Sequence, residues 1–196
     1  MDNRQTDASR QTDVEALFRK AGVLREGHFL LTSGLHSPVY WEKFRILQYP
    51  EYTGVLCGMF AEHFRRLKPS VVVGPTTGGV ILAFETARQL GVRGIFAEKD
   101  GDTRVLRRDF VIEHGEDVLV VDDVLTTGKS VNETLDAVRR VGGNVIGVGV
   151  MVDRSASPLD FGAELFSCLR SPAIVYTADS CPLCKAGVPL KKPGSS

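Results

Sequence analysis

Apolar residues recur along this chain at two spacings, and the change from one to the other sets out the elements. Val14, Leu17 and Phe18 lie at helical spacing over 14–20, and Ala21-Gly22 ends that run. A second helix is predicted over 52–67, carrying Val55, Leu56, Met59, Phe60 and Phe64 and stopped by Pro69. Between them, 27–41 reads as mixed strand and turn with aromatics near both ends. From Val71 the chain alternates strand and helix: strand 71–74, helix 78–90, strand 94–98, a charged segment 99–108, a strand resuming at 110–112, strand 118–121, helix 131–141 and strand 144–152. Such alternation predicts an α/β fold with a parallel sheet covered on both faces. Short strands are expected at 165–170 and 174–176. The turn-rich stretch 180–194 is expected to pack with the N-terminal segment as a small cap over the sheet. The polar residues 1–13 read as a frayed tail.

The stretch 118–130 carries the most chemistry. A short run of Val and Leu, typical of a buried strand, ends in the adjacent carboxylates Asp122 and Asp123. Val124, Leu125, Thr126, Thr127, Gly128, Lys129 and Ser130 then lead into the helix. A small, hydroxylic turn opening a helix offers free backbone N–H groups and the positive end of the helix dipole, which suits a phosphate. Gly128-Lys129-Ser130 looks like the end of a nucleoside triphosphate loop, but that motif needs a glycine about five residues earlier, where Asp123 stands. Paired acids would repel a triphosphate. Above a monophosphate cradle they suit the two hydroxyls of a ribose. The plainer alternative is a strand–turn–helix whose acids only cap the helix.

Bulk properties exclude several classes. In 196 residues, Lys+Arg and Asp+Glu balance at 24 each, so no basic field recruits nucleic acid. No apolar run approaches a membrane span, and the first residues lack the apolar core of a signal peptide. With only 4 cysteines, a reduced, cytoplasmic protein is expected.

Other segments offer matching chemistry. Thr76, Thr77, Gly78 and Gly79 form a second strand–turn–helix junction able to hold an anion, or an ordinary glycine turn. Lys99, Arg104, Arg107 and Arg108 lie on a charged segment that reads either as a solvated hairpin or as a flexible basic loop closing over a site. Thr76, Lys99, Asp123 and Asp153 fall at strand C-terminal ends, where ligands bind in such sheets. Arg154, at another strand end, could take a carboxylate bidentately or stay on the surface bridging Asp153. His28, His36, His63 and His114 show no metal spacing. Cys181 and Cys184 form a CxxC, half of a zinc site, which Cys168 could join; two thiols in a tight turn is the simpler reading.

The run 118–121, the Asp122-Asp123 pair and Thr126-Thr127-Gly128 resemble the diphosphosugar-binding motif of type I phosphoribosyltransferases. The resemblance implies their fold, a central, mainly parallel β-sheet flanked by helices with a small hood from N- and C-terminal segments. It implies phosphoribosyl diphosphate as substrate and transfer of its ribosyl phosphate to a nitrogen base. The segment 27–38 with its following aromatics, Phe96 to Lys99 with 106–110, Val152-Asp153-Arg154 and the Cys181 to Cys184 tail are similar to orotate phosphoribosyltransferases of one bacterial branch. A core over 14–164, with a hood segment at 14–45, and a C-terminal segment 165–196 packing with the hood are implied.

On that resemblance Asp122 and Asp123 would hold the ribose hydroxyls, 126–130 the 5-phosphate, and Thr76 to Gly79 the pyrophosphate. Lys99 would stabilise the leaving group. Arg154, Thr126, Phe29 and Tyr40 would receive orotate. Magnesium is expected on the pyrophosphate's own oxygens rather than on protein ligands. The implied working unit is a homodimer whose catalytic loops reach across to the neighbour's site. Thr32, Leu35 and Thr77-Gly78 stand where many members carry Lys, Arg and a Tyr-Lys pair, so Arg104, Arg107 and Arg108 are expected to substitute. A purine phosphoribosyltransferase, or a non-enzymatic sensor of phosphoribosyl diphosphate, would share this core.

Overall fold

The structure, a computed structural model, describes residues 3–31 and 33–193, the side chains of 3–10 excepted. Met1, Asp2 and Thr32 lie outside the described residues. A six-stranded sheet runs in the order β5-β4-β3-β6-β7-β8, formed by β3 (Val71–Pro75), β4 (Arg93–Asp100), β5 (Thr103–Leu106), β6 (Asp117–Leu125), β7 (Asn144–Asp153) and β8 (Glu164–Arg170). All neighbours are parallel except β4 and β5. A separate antiparallel hairpin pairs β1 (Leu24–Leu30) with β2 (His36–Trp41). The expected α/β architecture, with its mainly parallel sheet, is therefore present.

Two apolar layers cover the sheet, and strand alternation sorts residues between them. Val72, Leu119, Val121 and Met151 face Phe18 of α1 (Asn3–Lys20), Phe60 and Phe64 of α3 (Pro50–Phe64) and Leu82 of α4 (Gly78–Leu90). Val71, Val73, Val118, Val120 and Val148 face Val131, Leu135 and Val138 of α5 (Lys129–Arg140). The short α2 (Phe44–Leu47) links the hairpin to α3, and α6 (Pro182–Lys185) lies in the C-terminal tail. No described helix is long and apolar enough to cross a membrane.

The topology fixes where a ligand goes. The chain leaves β3 through α4 to β4 on one side, and leaves β6 through α5 to β7 on the other. The strand order thus reverses between β3 and β6, and α4 and α5 lie on opposite faces. A crevice opens at that switch point beyond the strand C-terminal ends. β6 pairs with β3 only as far as Val120, so Asp122 and Asp123 lie beyond the last of those pairs, while β6 stays paired with β7 on its other side.

Four local expectations are corrected. The frayed tail read over 1–13 is helical from Asn3 onward. No Gly or Pro interrupts Asn3–Lys20, so helix propagates backward from the turn anchored by buried Val14 and Phe18. Residues 110–112 are not a strand: β5 already occupies that sheet edge, and buried Ile112 instead packs into the layer under α5. Over 174–176 there is only one bridge, Tyr176 to His36. The segment 99–108 is no open loop but continues β4 into a hairpin pairing Lys99 with Arg104 and Asp100 with Thr103. Gly101, at φ 57°, makes the turn.

The glycines of β7 make room for helix α3. A Cβ on Gly147 would lie 2.5 Å from the Phe64 ring. Gly147→Ala is expected to cost about 1–3 kcal/mol through overpacking, read as a lower urea midpoint, with Phe64→Leu in the same chain recovering part of it. An unchanged midpoint in the single variant would contradict this packing.

Candidate active site

Two strand–turn–helix junctions meet at the crevice. In the first, β3 ends at Pro75, the Thr76–Thr77 peptide is cis, and α4 begins at Gly78. Close approach dictates its glycines: a Cβ on Gly74 would sit 2.0 Å from the Gly79 carbonyl oxygen, and one on Gly78 2.0 Å from Asp123 Oδ2. The Tyr-Lys pair common at 77–78 therefore has no room here for its second side chain. In the second junction, Gly128 takes a left-handed φ of 79° and caps α5 without a side-chain hydrogen bond. The first-turn amides of α5 face the cleft beside the exposed Thr126 and Thr127.

The two acids differ. Asp123 is buried and binds Lys43 Nζ at 2.9 Å (Oδ1) and 2.8 Å (Oδ2), while its Oδ1 also accepts the Val124 amide. Lys43, at the exit of the β1–β2 hairpin, was not foreseen. Asp122 accepts the Asp123 amide at 2.8 Å. Burial, and then the neighbouring Asp123 charge, push the Asp122 carboxyl up to about 7, against the opposing pull of that amide, Lys43 and the Ser130 hydroxyl.

A cleft of about 330 Å³ adjoins Asp122 and is lined by Thr126 to Ser130, Lys99, Arg104 and Glu133. Arg104 is buried and links the junctions, donating to Thr76 Oγ1 and to Ser130 Oγ, each at 3.2 Å. Glu133, also unforeseen, gathers Lys99 at 3.0 Å, Arg104 at 3.5 Å and Lys129 at 3.8 Å. Lys99 and Arg104 are cross-strand partners on one face of the hairpin. Arg107 and Arg108 are instead held by Glu98 and Asp100. The basic residues read as one set thus divide, and only Lys99 and Arg104 reach the chain's own cleft. Strand alternation turns Lys99 and Arg104 to one face of the hairpin, whereas Arg107 and Arg108 follow the end of β5, where Glu98 and Asp100 hold them.

Arg154 follows β7, and its amide donates to the Leu125 carbonyl at 2.8 Å, beside the second turn. Its guanidinium is buried 5.5 Å from the Trp41 ring centre, and its Nε has no partner. Burial lowers its pKa, but a guanidinium stays charged. The bridge to Asp153 does not form, because Asp153 pairs with Arg170 and accepts the Ser155 amide. Phe29 and Tyr40 pack on each other at 5.7 Å, so the hood aromatic that meets Arg154 is Trp41.

Asp122 gives a stability test. Its folded pKa lies above its ordinary 3.8, so the protonated form stabilises the fold. That contribution is whole below the ordinary value and is lost as pH rises through about 7. Asp122→Asn is expected to melt higher than the native chain near pH 8, with the gap closing toward pH 5. A melting difference constant across that range would mean that Asp122 is ionised throughout.

A phosphoribosyl transferase domain model matches residues 45–175. The orotate phosphoribosyltransferase of Caldanaerobacter subterraneus subsp. tengcongensis is 50% identical over 182 residues, covering 93% of this chain and 96% of its own. That of Thermotoga maritima is 43% identical, covering 93% and 97%. Among solved structures, orotate phosphoribosyltransferase from Aeropyrum pernix superposes with a TM-score of 0.68 at 28% identity, over 80% of this chain and 92% of that one. An adenine phosphoribosyltransferase from Saccharomyces cerevisiae, at 20% identity and TM-score 0.62, shares the fold. With its acids, its two helix-opening turns and its sheet switch point all inside the matched region, the chain belongs to the phosphoribosyltransferase family.

Proposed function

We propose that this chain is an orotate phosphoribosyltransferase, making orotidine 5'-phosphate and pyrophosphate from orotate and phosphoribosyl diphosphate, a step toward uridine monophosphate. The observation that carries the base assignment is Arg154, a buried guanidinium with no carboxylate partner among the described residues. An unpaired buried charge is costly, and orotate's carboxylate would pair it. A purine would leave it uncompensated. Relatives sharing up to 50% identity carry the same activity in their names.

In this reading the 5-phosphate sits on the α5 amides with Thr126, Thr127 and Ser130. The diphosphate lies between Thr76 to Gly79 and the Lys99–Arg104 pair, and the ribose hydroxyls meet Asp122 and Asp123. The bond from C1 to the diphosphate oxygen breaks while the base nitrogen bonds C1 and sheds its proton. Asp123, together with Asp122 in its ionised form, would stabilise the positive charge that develops on the ring, and Lys99 and Arg104 take the charge of the departing pyrophosphate. The donor set fits magnesium carried in on the diphosphate: Asp123 is occupied by Lys43 and Glu133 by Lys99, so among the described residues of the cleft no group of free acids is left to cage an ion. Bound there, the ion would neutralise leaving-group charge.

The proposed unit is a homodimer in the cytoplasm. Val55 of α3 and Ile81 and Phe84 of α4 are exposed on adjacent helices, Phe84 at 69%, an apolar face suited to a second copy. Arg107 and Arg108, turned from their own cleft, are the hairpin cations available to a neighbour.

Arg154→Ala is expected to weaken orotate binding about ten- to a hundred-fold, the worth of a charged hydrogen-bonded pair. Phosphoribosyl diphosphate binding should hardly change, and Arg154→Lys should recover little. Both affinities are measured separately by calorimetry; equal loss for both ligands would make Arg154 structural. Subunit mixing tests the hairpin. Verified hybrids of Asp123→Asn with Arg107→Ala/Arg108→Ala should regain part of the activity, whereas hybrids with Lys99→Ala should not. Rescue by the Lys99 variant would place that lysine in the partner's site.

A further inference from the structure

A second cluster lies away from the crevice, where the C-terminal tail meets the β1–β2 hairpin. His28, His36, Cys181 and Cys184 each turn one ligand atom inward, and the four atoms lie within 4.8 Å of one another. The histidines come from the hairpin and the cysteines from the start of α6, so each segment alone brings only half of a ligand set. His28, His36 and Cys181 are buried, and Cys184 is exposed.

We propose that this cluster is a structural zinc site that fastens the tail to the hood. Three of the ligand-to-ligand distances fit tetrahedral N2S2 coordination. Zn–N bonds of about 2.0–2.1 Å and Zn–S bonds of about 2.3 Å put ligand atoms roughly 3.3–3.8 Å apart. Here His36 Nδ1 lies 3.3 Å from Cys184 Sγ, and His28 Nε2 lies 3.5 Å from Cys181 Sγ and 3.7 Å from Cys184 Sγ. His28 Nε2 and His36 Nδ1 are closer, at 2.9 Å.

Two further observations point to a cation. His28 Nδ1 donates to the Val188 carbonyl at 2.8 Å, which leaves Nε2 with its lone pair aimed at the other three atoms. A ring nitrogen fixed by a backbone carbonyl is the usual outer partner of a metal-ligating histidine. Without a cation, that lone pair would accept from His36 Nδ1 at 2.9 Å, with two thiols, which are weak donors, crowded beside it. Soft sulfur with imidazole in a closed tetrahedron selects zinc over hard cations, and exposed Cys184 gives the entry path.

The surroundings explain why a fastener is needed. The tail touches the hairpin through short backbone pairings, Leu30 to Lys191 and Lys191 to His28 at 2.8 Å, and His36 with Tyr176 in both directions. Among the described residues no apolar cluster like those on the sheet forms around it: Lys191, Leu190 and Val188 are exposed. Small elements without a core of their own are commonly held by a metal. The site does not depend on the activity proposed above.

The test uses the full chain purified under reducing conditions without chelator. Elemental analysis should find about one zinc per chain. Removal with a chelator should lower the melting temperature, make Cys181 and Cys184 reactive toward thiol reagents and make the tail after Tyr176 sensitive to protease; adding zinc should reverse all three. Cobalt put in its place should give thiolate charge-transfer and tetrahedral d–d bands. Cys184→Ser and His36→Asn should each weaken cobalt binding about ten-fold or more, while Cys57→Ala should not. A reduced chain that is metal-free and takes up neither zinc nor cobalt overturns the proposal. So does a Cys181–Cys184 disulfide in protein from a reducing cytoplasm, or metal uptake unchanged in both ligand variants. If a variant fails to fold, reversible chelation of the native chain decides.

Discussion

The pairing of Asp123 with Lys43 is the contact on which the site depends. Asp123 Oδ2 lies where any side chain at 78 would begin, so the carboxylate and the start of α4 fit only with glycine there. The same carboxylate takes Lys43 from the hood and the Val124 amide from its own strand. One buried acid thus joins β6, α4 and the hairpin. Removing Lys43 would leave a buried charge uncompensated, a larger effect than the pair's net worth. Asp122, one residue away, has no such cation in direct contact. Burial and its neighbour's charge raise its pKa instead.

What was legible in the sequence follows from range. The helix over Gly78–Leu90 and the strand, paired acids and helix from Asp117 to Arg140 are set by local periodicity and by turns whose residues carry their own geometry. Lys43 carries no local signal, and Glu133 shows only its i,i+4 spacing from Lys129. Lys43 matters only because the hairpin exit passes beside β6, and Glu133 only because α5 brings one acid under three cations. The charged segment at 99–108 looked like a loop because its alternation is written in charges: Lys99 and Arg104 toward α5, Glu98 and Asp100 outward. His28 and His36 had no metal spacing along the chain because their partners arrive from the far end of it.

The arrangement around Glu133 bears on how the proposed reaction begins. Lys99 is about half exposed, and a pair of that kind is worth little in water. Arg104 is different: it is buried, fixed to Thr76 and Ser130, and its contact with Glu133 is long at 3.5 Å. Glu133 therefore serves as a weak resting counter-ion to cations that are already in place. A diphosphate entering between the two turns carries more charge than one carboxylate and would draw Lys99 across at small cost. Arg104 need not move, since its hydrogen bonds already span the two junctions that would hold the ligand. Cations positioned before the charge arrives stabilise it without reorganisation during the reaction. The hairpin provides this positioning by pairing Lys99 with Arg104 across β4 and β5, where a disordered loop would first have to be ordered.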